Sequence, residues 1–261
     1  MAHHIPGPLY FEQLGATGIP MVFLHSTPDD HRLWMYQTAH FSSWYRTIAI
    51  DMAGYGRSPA VQKGVTMEDM AAACWEAVDR VSGDAVIIHG NSMGGSVTQR
   101  MWHQHPERVK ALVLSGTGFS QATDVFKRWV ERYTAEGVAL RYEQLFDHFS
   151  AAHKSDPILR FYADMVVELN NEGTCASIIA MNEANAHRPP EAFYRAITAP
   201  TLIMAGVEDR SYQSSVALSK LIPRAEFQAI EGVAHAPMIE TPADYDRHAI
   251  AFLKKHGLFP G

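Results

Sequence analysis

The sequence predicts an α/β fold, a mostly parallel, doubly wound sheet interrupted by an inserted helical cap. Three observations predict it. Short apolar runs rich in β-branched residues alternate with helical patterns over the first half of the 261-residue chain. The alternation ceases near residue 118 and resumes at 201. Between those points apolar residues recur at helical rather than strand spacing. A chain of this length suits one domain of the α/β kind.

The runs PMVFLH (20–25), RTIAID (46–51), AVIIHG (85–90) and VKALVLS (109–115) are apolar with little alternation, as strands covered on both faces of a parallel sheet are. Between the second and third, Thr66-Met67-Glu68-Asp69 reads as a capping box opening a helix that carries Met70, Ala71, Cys74, Trp75 and Val78. That is βαβ spacing, which implies right-handed crossovers. A helix after the third strand runs through Val97, Met101 and Trp102 and stops before Pro106. The next stretch is longer than a connecting helix requires. Within it Phe126/Trp129/Val130/Tyr133, Leu145/Phe146/Phe149 and Ile158/Phe161/Tyr162/Met165/Val166 repeat at helical spacing. These predict a cap over 119–197, set into a core formed by 1–118 and 198–261. Its aromatics are expected mostly to pack on one another, with a minority facing a ligand. TLIMAG (201–206) and EFQAI (226–230) supply the last strands. A final helix opens at Thr241-Pro242-Ala243-Asp244, with threonine as N-cap and proline at the first helical position.

Composition narrows the function. A 47% hydrophobic, 19% charged chain without biased tracts is globular rather than disordered. The net charge of -6, with scattered lysines and arginines, argues against nucleic acid as a partner. No basic, apolar leader opens the chain and no apolar run reaches ~18 residues, so neither secretion nor a membrane span is indicated and a cytoplasmic location is expected. Cys74 and Cys175 both sit in helical contexts and read as buried reduced thiols. Fourteen histidines include no HExxH. His3-His4 and His103/His105 come closest to ligand spacing, but a chain start and a helix C-terminus explain them better, so no metal and no cofactor are expected.

The chemistry centres on HGNSMGG (89–95), where a strand meets a helix. Gly90-Asn91-Ser92-Met93-Gly94 is G-x-S-x-G, the nucleophile elbow, in which a strained turn thrusts the serine hydroxyl outward. Gly90 and Gly94 would remove Cβ atoms that collide across the turn, and Gly95 would let the helix sit close to the sheet. A serine hydroxyl needs a base, and the base a carboxylate to orient it. Around such an elbow the chain order is serine, then Asp or Glu, then histidine, the last two on loops after later strands; Asp209 in GVED after TLIMA, preferred over Glu208, and His235 in GVAH after EFQAI stand where that order requires.

At these residues the sequence resembles the α/β-hydrolase family over nearly its whole length. DMAGYGRS (51–58), HPERVKALVLSG, GVEDRSYQ and GVAHAPMIETP are similar to recurring family segments; DMAGYGRS reads as a structural turn. The resemblance implies an oxyanion hole from the Met93 N–H and one N–H of His25-Ser26-Thr27-Pro28, where the family's commoner form is His-Gly-x-Pro. Thr27 is the expected donor and Ser26 its rival. HST and the following DHRLWMYQ are also similar to 3-oxoadipate enol-lactonases. Candidate substrate contacts are His25, Asn91, Trp129, Phe146, Phe149, His153, His187 and Arg188. For Arg188 a solvated loop charge is preferred over a carboxylate ligand.

The reading that follows is a serine hydrolase cleaving a small carboxylic ester or lactone through an acyl-enzyme. Serine at the nucleophile position disfavours dehalogenase and epoxide hydrolase activity, which by resemblance need aspartate there. A carbon–carbon bond hydrolase of ring-cleavage products shares GNSMGG, but its oxyanion loop is usually richer in glycine and tryptophan usually follows its histidine, where this chain has Ala236. A cofactor-free dioxygenase shares the DHR of DDHRLW. A ligand sensor with slow residual hydrolysis is the alternative of a different class. Oligomeric state is not legible in the sequence.

Overall fold

A computed structural model describes residues 4–119, 123–171 and 173–260. Its strands are β1 (Phe11–Leu14), β2 (Pro20–Leu24), β3 (Arg46–Ile50), β4 (Val86–Asn91), β5 (Val109–Ser115), β6 (Thr201–Gly206) and β7 (Ala225–Ile230). They form one sheet in the order β1-β3-β2-β4-β5-β6-β7. Every pairing is parallel except β1 with β3. β1 was not expected: FEQL is an edge strand with no fully buried residue, so it lacks the apolar run that marks the others. His3 lies outside the described residues.

Successive side chains on a strand point to opposite faces, and each face carries its own core. Val22, Leu24, Ile48, Ile88 and Leu112 pack with α2 (Met67–Asp79) and α3 (Met93–Gln104). Met21, Phe23, Ala49, Ile87 and Val113 pack with α1 (Met35–Phe41) and, after the insert, α11 (Pro242–Lys255). Helix α2 opens on the predicted capping box: Thr66 Oγ1 accepts from Asp69 N and Asp69 from Thr66 N, each at 3.0 Å. Thr241 does precede α11, yet its hydroxyl makes no capping bond. Pro237–Glu240 already forms a short helix, α10, and Thr241 links the two.

Between β5 and β6 stand α4 (Thr123–Glu136), α5 (Leu140–Asp147), α6 (Pro157–Glu168), α7 (Thr174–Ala186) and α8 (Glu191–Arg195). Helix α9 (Tyr212–Leu221) joins β6 to β7. The inserted helices continue both cores: Trp129, Tyr133, Ile178 and Met181 join one, while Leu145, Phe149, Tyr162 and Val166 join the other. Ile158 and Phe161, expected to pack, are exposed instead. Both cysteines are free: Cys74 is buried, whereas Cys175, on α7 beside Tyr133 O, is only half-buried.

Candidate active site

Ser92 sits between β4 and α3 with φ 53°, the one non-glycine residue of positive φ among those described. Its own N–H is held by Ser115 O at 2.8 Å, at the end of β5. The glycines around it make the room, though not quite as the motif alone suggests. A Cβ on Gly90 would meet Gly94 O at 2.7 Å, across the turn as expected. One on Gly94 would instead strike the Leu24 and His25 carbonyls at the end of β2, and one on Gly95 would strike Thr117, in the loop after β5. Gly94 and Gly95 therefore seat the helix against neighbouring strand ends. Met93 opens α3, where N–H groups lack intrahelical acceptors and the helix dipole favours negative charge.

Asp209 follows β6 and His235 follows β7, and the two meet: His235 Nδ1 lies 2.9 and 3.0 Å from the carboxylate oxygens. Burial pushes the Asp209 carboxyl up, but the His235 charge, its hydrogen bond and those of Ser211 outweigh burial and hold it at about 2. For His235 burial favours the neutral ring, and the Asp209 charge with its hydrogen bond overcomes this, so its pKa is raised. Ser92, Asp209 and His235 line one cavity of about 480 Å³ together with Thr27 and Trp129. Glu208 is exposed, outside it.

Several expected contacts are placed elsewhere. His25 is fully buried, with Nδ1 2.7 Å from Ser26 O and Nε2 accepting from Met52 N at 2.9 Å. Asn91 holds the His235 loop, donating to His235 O and Ser115 O at 3.1 Å. Phe146 and Phe149 pack edge to face, and Phe149 on Tyr162. His153 bonds Ser150 Oγ at 2.8 Å and lies 3.3 Å from Glu240. His187 and Arg188 line a separate hollow of about 610 Å³. Arg188 is not the solvated charge expected: its guanidinium lies 5.1 Å over the Phe126 ring and bonds Ser96 Oγ at 3.3 Å. Ser26 is fully buried and its hydroxyl donates to Asp29, whereas Thr27 borders the cavity and accepts from the Tyr55 hydroxyl at 2.8 Å.

The sequence reading missed Asp29, Gln144, His148, Asn182 and Glu240. Gln144, His148 and Asn182 line the cavity from the inserted helices. Asp29 accepts from the Ser26 and Tyr162 hydroxyls and faces His148 Nδ1 at 3.5 Å. These partners outweigh its burial and hold its carboxyl at about 2. Glu240 accepts from Ala234 N at 3.0 Å and Ser150 N at 2.8 Å, tying the loop before His235 to the insert. The Asp pair in HSTPDD was the available signal for Asp29; nothing marked the others.

DMAGYGRS is a turn closed on itself. Asp51 takes the backbone N–H of His31 and of Arg57, each at 2.8 Å, and Gly56 leaves no space for a Cβ beside the carboxylate. Asp30, His31 and Asp51 form the one group among the described residues with metal-ligand spacing. Their atoms are committed to each other and to Arg32: His31 Nδ1 lies 2.7 Å from Asp51, and Asp30 receives two Arg32 nitrogens. No helix among the described residues is long and apolar enough to cross a membrane.

Comparison with known proteins agrees with this architecture. A putative non-heme haloperoxidase of Mycobacterium phage D29 is 26% identical over 242 residues, covering 87% of this chain and 84% of that one. A thermophilic esterase from Thermogutta terrifontis superposes with a TM-score of 0.81 at 25% identity, covering 95% and 93% of the two chains. The enol-lactonase from Burkholderia xenovorans LB400 gives 0.86 at 19% identity, covering 96% and 98%, a likeness of fold alone. Residues 19–242 match the alpha/beta hydrolase fold family, and with the elbow serine, its sheet and its inserted helices in place, the chain belongs to that family.

Proposed function

We propose that this enzyme is a serine hydrolase cleaving a small carboxylic ester or lactone. The observation that carries the reading is the convergence of Ser92, at positive φ on its elbow, with the bonded Asp209–His235 pair in one cavity of about 480 Å³. Ser92 Oγ attacks the substrate carbonyl as His235 Nε2 takes its proton. The Met93 N–H, with that of Thr27, receives the developing oxyanion. His235 returns the proton to the leaving alcohol, and the acyl-enzyme is hydrolysed by water activated at the same nitrogen. Asp209 holds the imidazole in the tautomer that leaves Nε2 as acceptor.

Thr27 is assigned the second donor because it borders the cavity, whereas Ser26 is fully buried and does not line it. The esterase likeness supports an ester bond. Purified protein and Ser92→Ala are assayed against p-nitrophenyl esters of increasing acyl length and simple lactones. The wild type is expected to turn over repeatedly, and Ser92→Ala to lose about 10⁴-fold or more in kcat with its fold intact. An equally active Ser92→Ala ends the proposal.

A further inference from the structure

No step above uses His148, yet its ring centroid lies 4.7 Å from that of His235. It closes α5, its carbonyl accepts from His235 N at 2.9 Å, and its side chain lines the cavity. Nδ1 faces Asp29 Oδ2 at 3.5 Å, and Asp29 is fixed in turn by Ser26 and Tyr162. A carboxylate behind an imidazole sets the proton on the near nitrogen and leaves the far one as an acceptor. With Nδ1 turned to Asp29, Nε2 is the nitrogen left to the cavity. His25 shows the contrast of a structural histidine, with both ring nitrogens bonded inside the protein. Burial outweighs the hydrogen bond and charge of Asp29, and with the neighbouring His235 it lowers the pKa of His148, which favours the uncharged ring.

The remaining lining tells what such an acceptor meets. Val125, Phe126 and Trp129 are apolar, while Gln144 and Asn182 contribute amides. Arg210, the one cation among the described lining residues, is exposed and pairs with Asp147 at 2.9 Å. A substrate carboxylate in the interior would be desolvated without a buried cation to meet it, whereas a hydroxyl would find a ready acceptor.

Resting on the serine-hydrolase reading, we propose that His148 is a substrate-recognition residue whose Nε2 accepts from a hydroxyl on the acyl chain. The preferred substrates are then uncharged hydroxyacyl esters. The short distance between the two rings places that hydroxyl a few bonds from the carbonyl His235 serves.

The test measures kcat/KM for phenyl butyrate and both enantiomers of phenyl 3-hydroxybutyrate in wild type, His148→Leu and His148→Gln. Calorimetry measures binding of the same esters to Ser92→Ala and to Ser92→Ala/His148→Leu. Wild type is expected to favour one hydroxy enantiomer over butyrate by ~10-fold, the discrimination of one buried hydrogen bond. His148→Leu should abolish that ratio, and His148→Gln, which keeps an acceptor, should retain most of it. No preference in wild type, or the same ratio in His148→Leu, overturns the proposal. Should His148→Leu fail to fold, the wild-type preference and its retention in His148→Gln decide. If wild type hydrolyses neither ester while Ser92→Ala still binds the hydroxy ester tighter and the double variant does not, the hydrolase reading falls and the recognition stands. Binding without that discrimination, or none, overturns the recognition.

Discussion

Replacing Gly94 with alanine sets a methyl group against backbone that has nowhere to go. The new Cβ would overlap the Leu24 carbonyl and lie 2.6 Å from His25 O. Leu24 ends a strand paired on both sides, with β3 and with β4, so the carbonyl cannot turn away. Relief to a normal contact of ~3.5 Å therefore moves the first turn of α3, and Ser92 with it, by roughly 1 Å. Overpacking of this kind costs ~1–3 kcal/mol, and rigid backbone on both sides puts this case at about 3. At ~2–4 °C per kcal/mol for a chain this large, Tm should fall by about 6–12 °C. The proposed nucleophile, misplaced by ~1 Å, should also react on the order of 100-fold more slowly. Thermal unfolding reads the first effect and the rate of fluorophosphonate labelling of Ser92 the second. Gly83→Ala, where a Cβ meets nothing within 4 Å, is the control. A Gly94→Ala protein within ~0.5 kcal/mol of wild type and labelled at its rate would refute the argument from close approach.

Because Asp209 raises the pKa of His235 and only the neutral imidazole accepts a proton, kcat/KM should climb with pH through an apparent value above ~6.5; a rate flat from about pH 5 to 8 removes His235 as the base. Asp29 and Asp209 are both held at about 2 in the folded chain, below the ~3.9 of an unfolded aspartate. The stability they contribute is complete above the unfolded value and lost as pH falls from about 4 towards 2, and Tm against pH should show a shallower acid limb in the Asp29→Asn/Asp209→Asn double variant. Glu240→Ala strips the acceptors from Ala234 N and Ser150 N and should cost ~1–3 kcal/mol for each N–H left unpaired, read by urea unfolding. A variant as stable as wild type would mean those groups find other partners.

The sheet was legible because β2 to β6 are covered on both faces, which writes continuous apolar runs into the chain. β1 was not, since three of its four residues are exposed and FEQL carries no apolar run, whereas the edge strand β7 stays half-buried along its length. The elbow, the acid loop and the histidine loop were legible because each is a local pattern at the end of a strand. The cavity wall was not, because helical periodicity is the same whether an aromatic faces a ligand or another helix: Trp129 lines the cavity while Phe146 and Phe149 pack on each other. His25 misled for a related reason, as its neighbours in sequence say nothing of Met52 N, which its ring reaches across the chain. Gln144, His148 and Asn182 meet the site only through tertiary packing.

The hydrogen bond from His235 N to His148 O has a consequence for how such enzymes are rebuilt. It joins the peptide of the proposed base to the last turn of an inserted helix, and Arg141 fastens the same helix to Pro28 O at 2.8 Å. The insert is thus stitched to the loop of the proposed base and to that of the proposed oxyanion donor. A chimera bearing a relative's cap inherits a severed seam on each side unless the donor cap brings a carbonyl and a cation to the same two points.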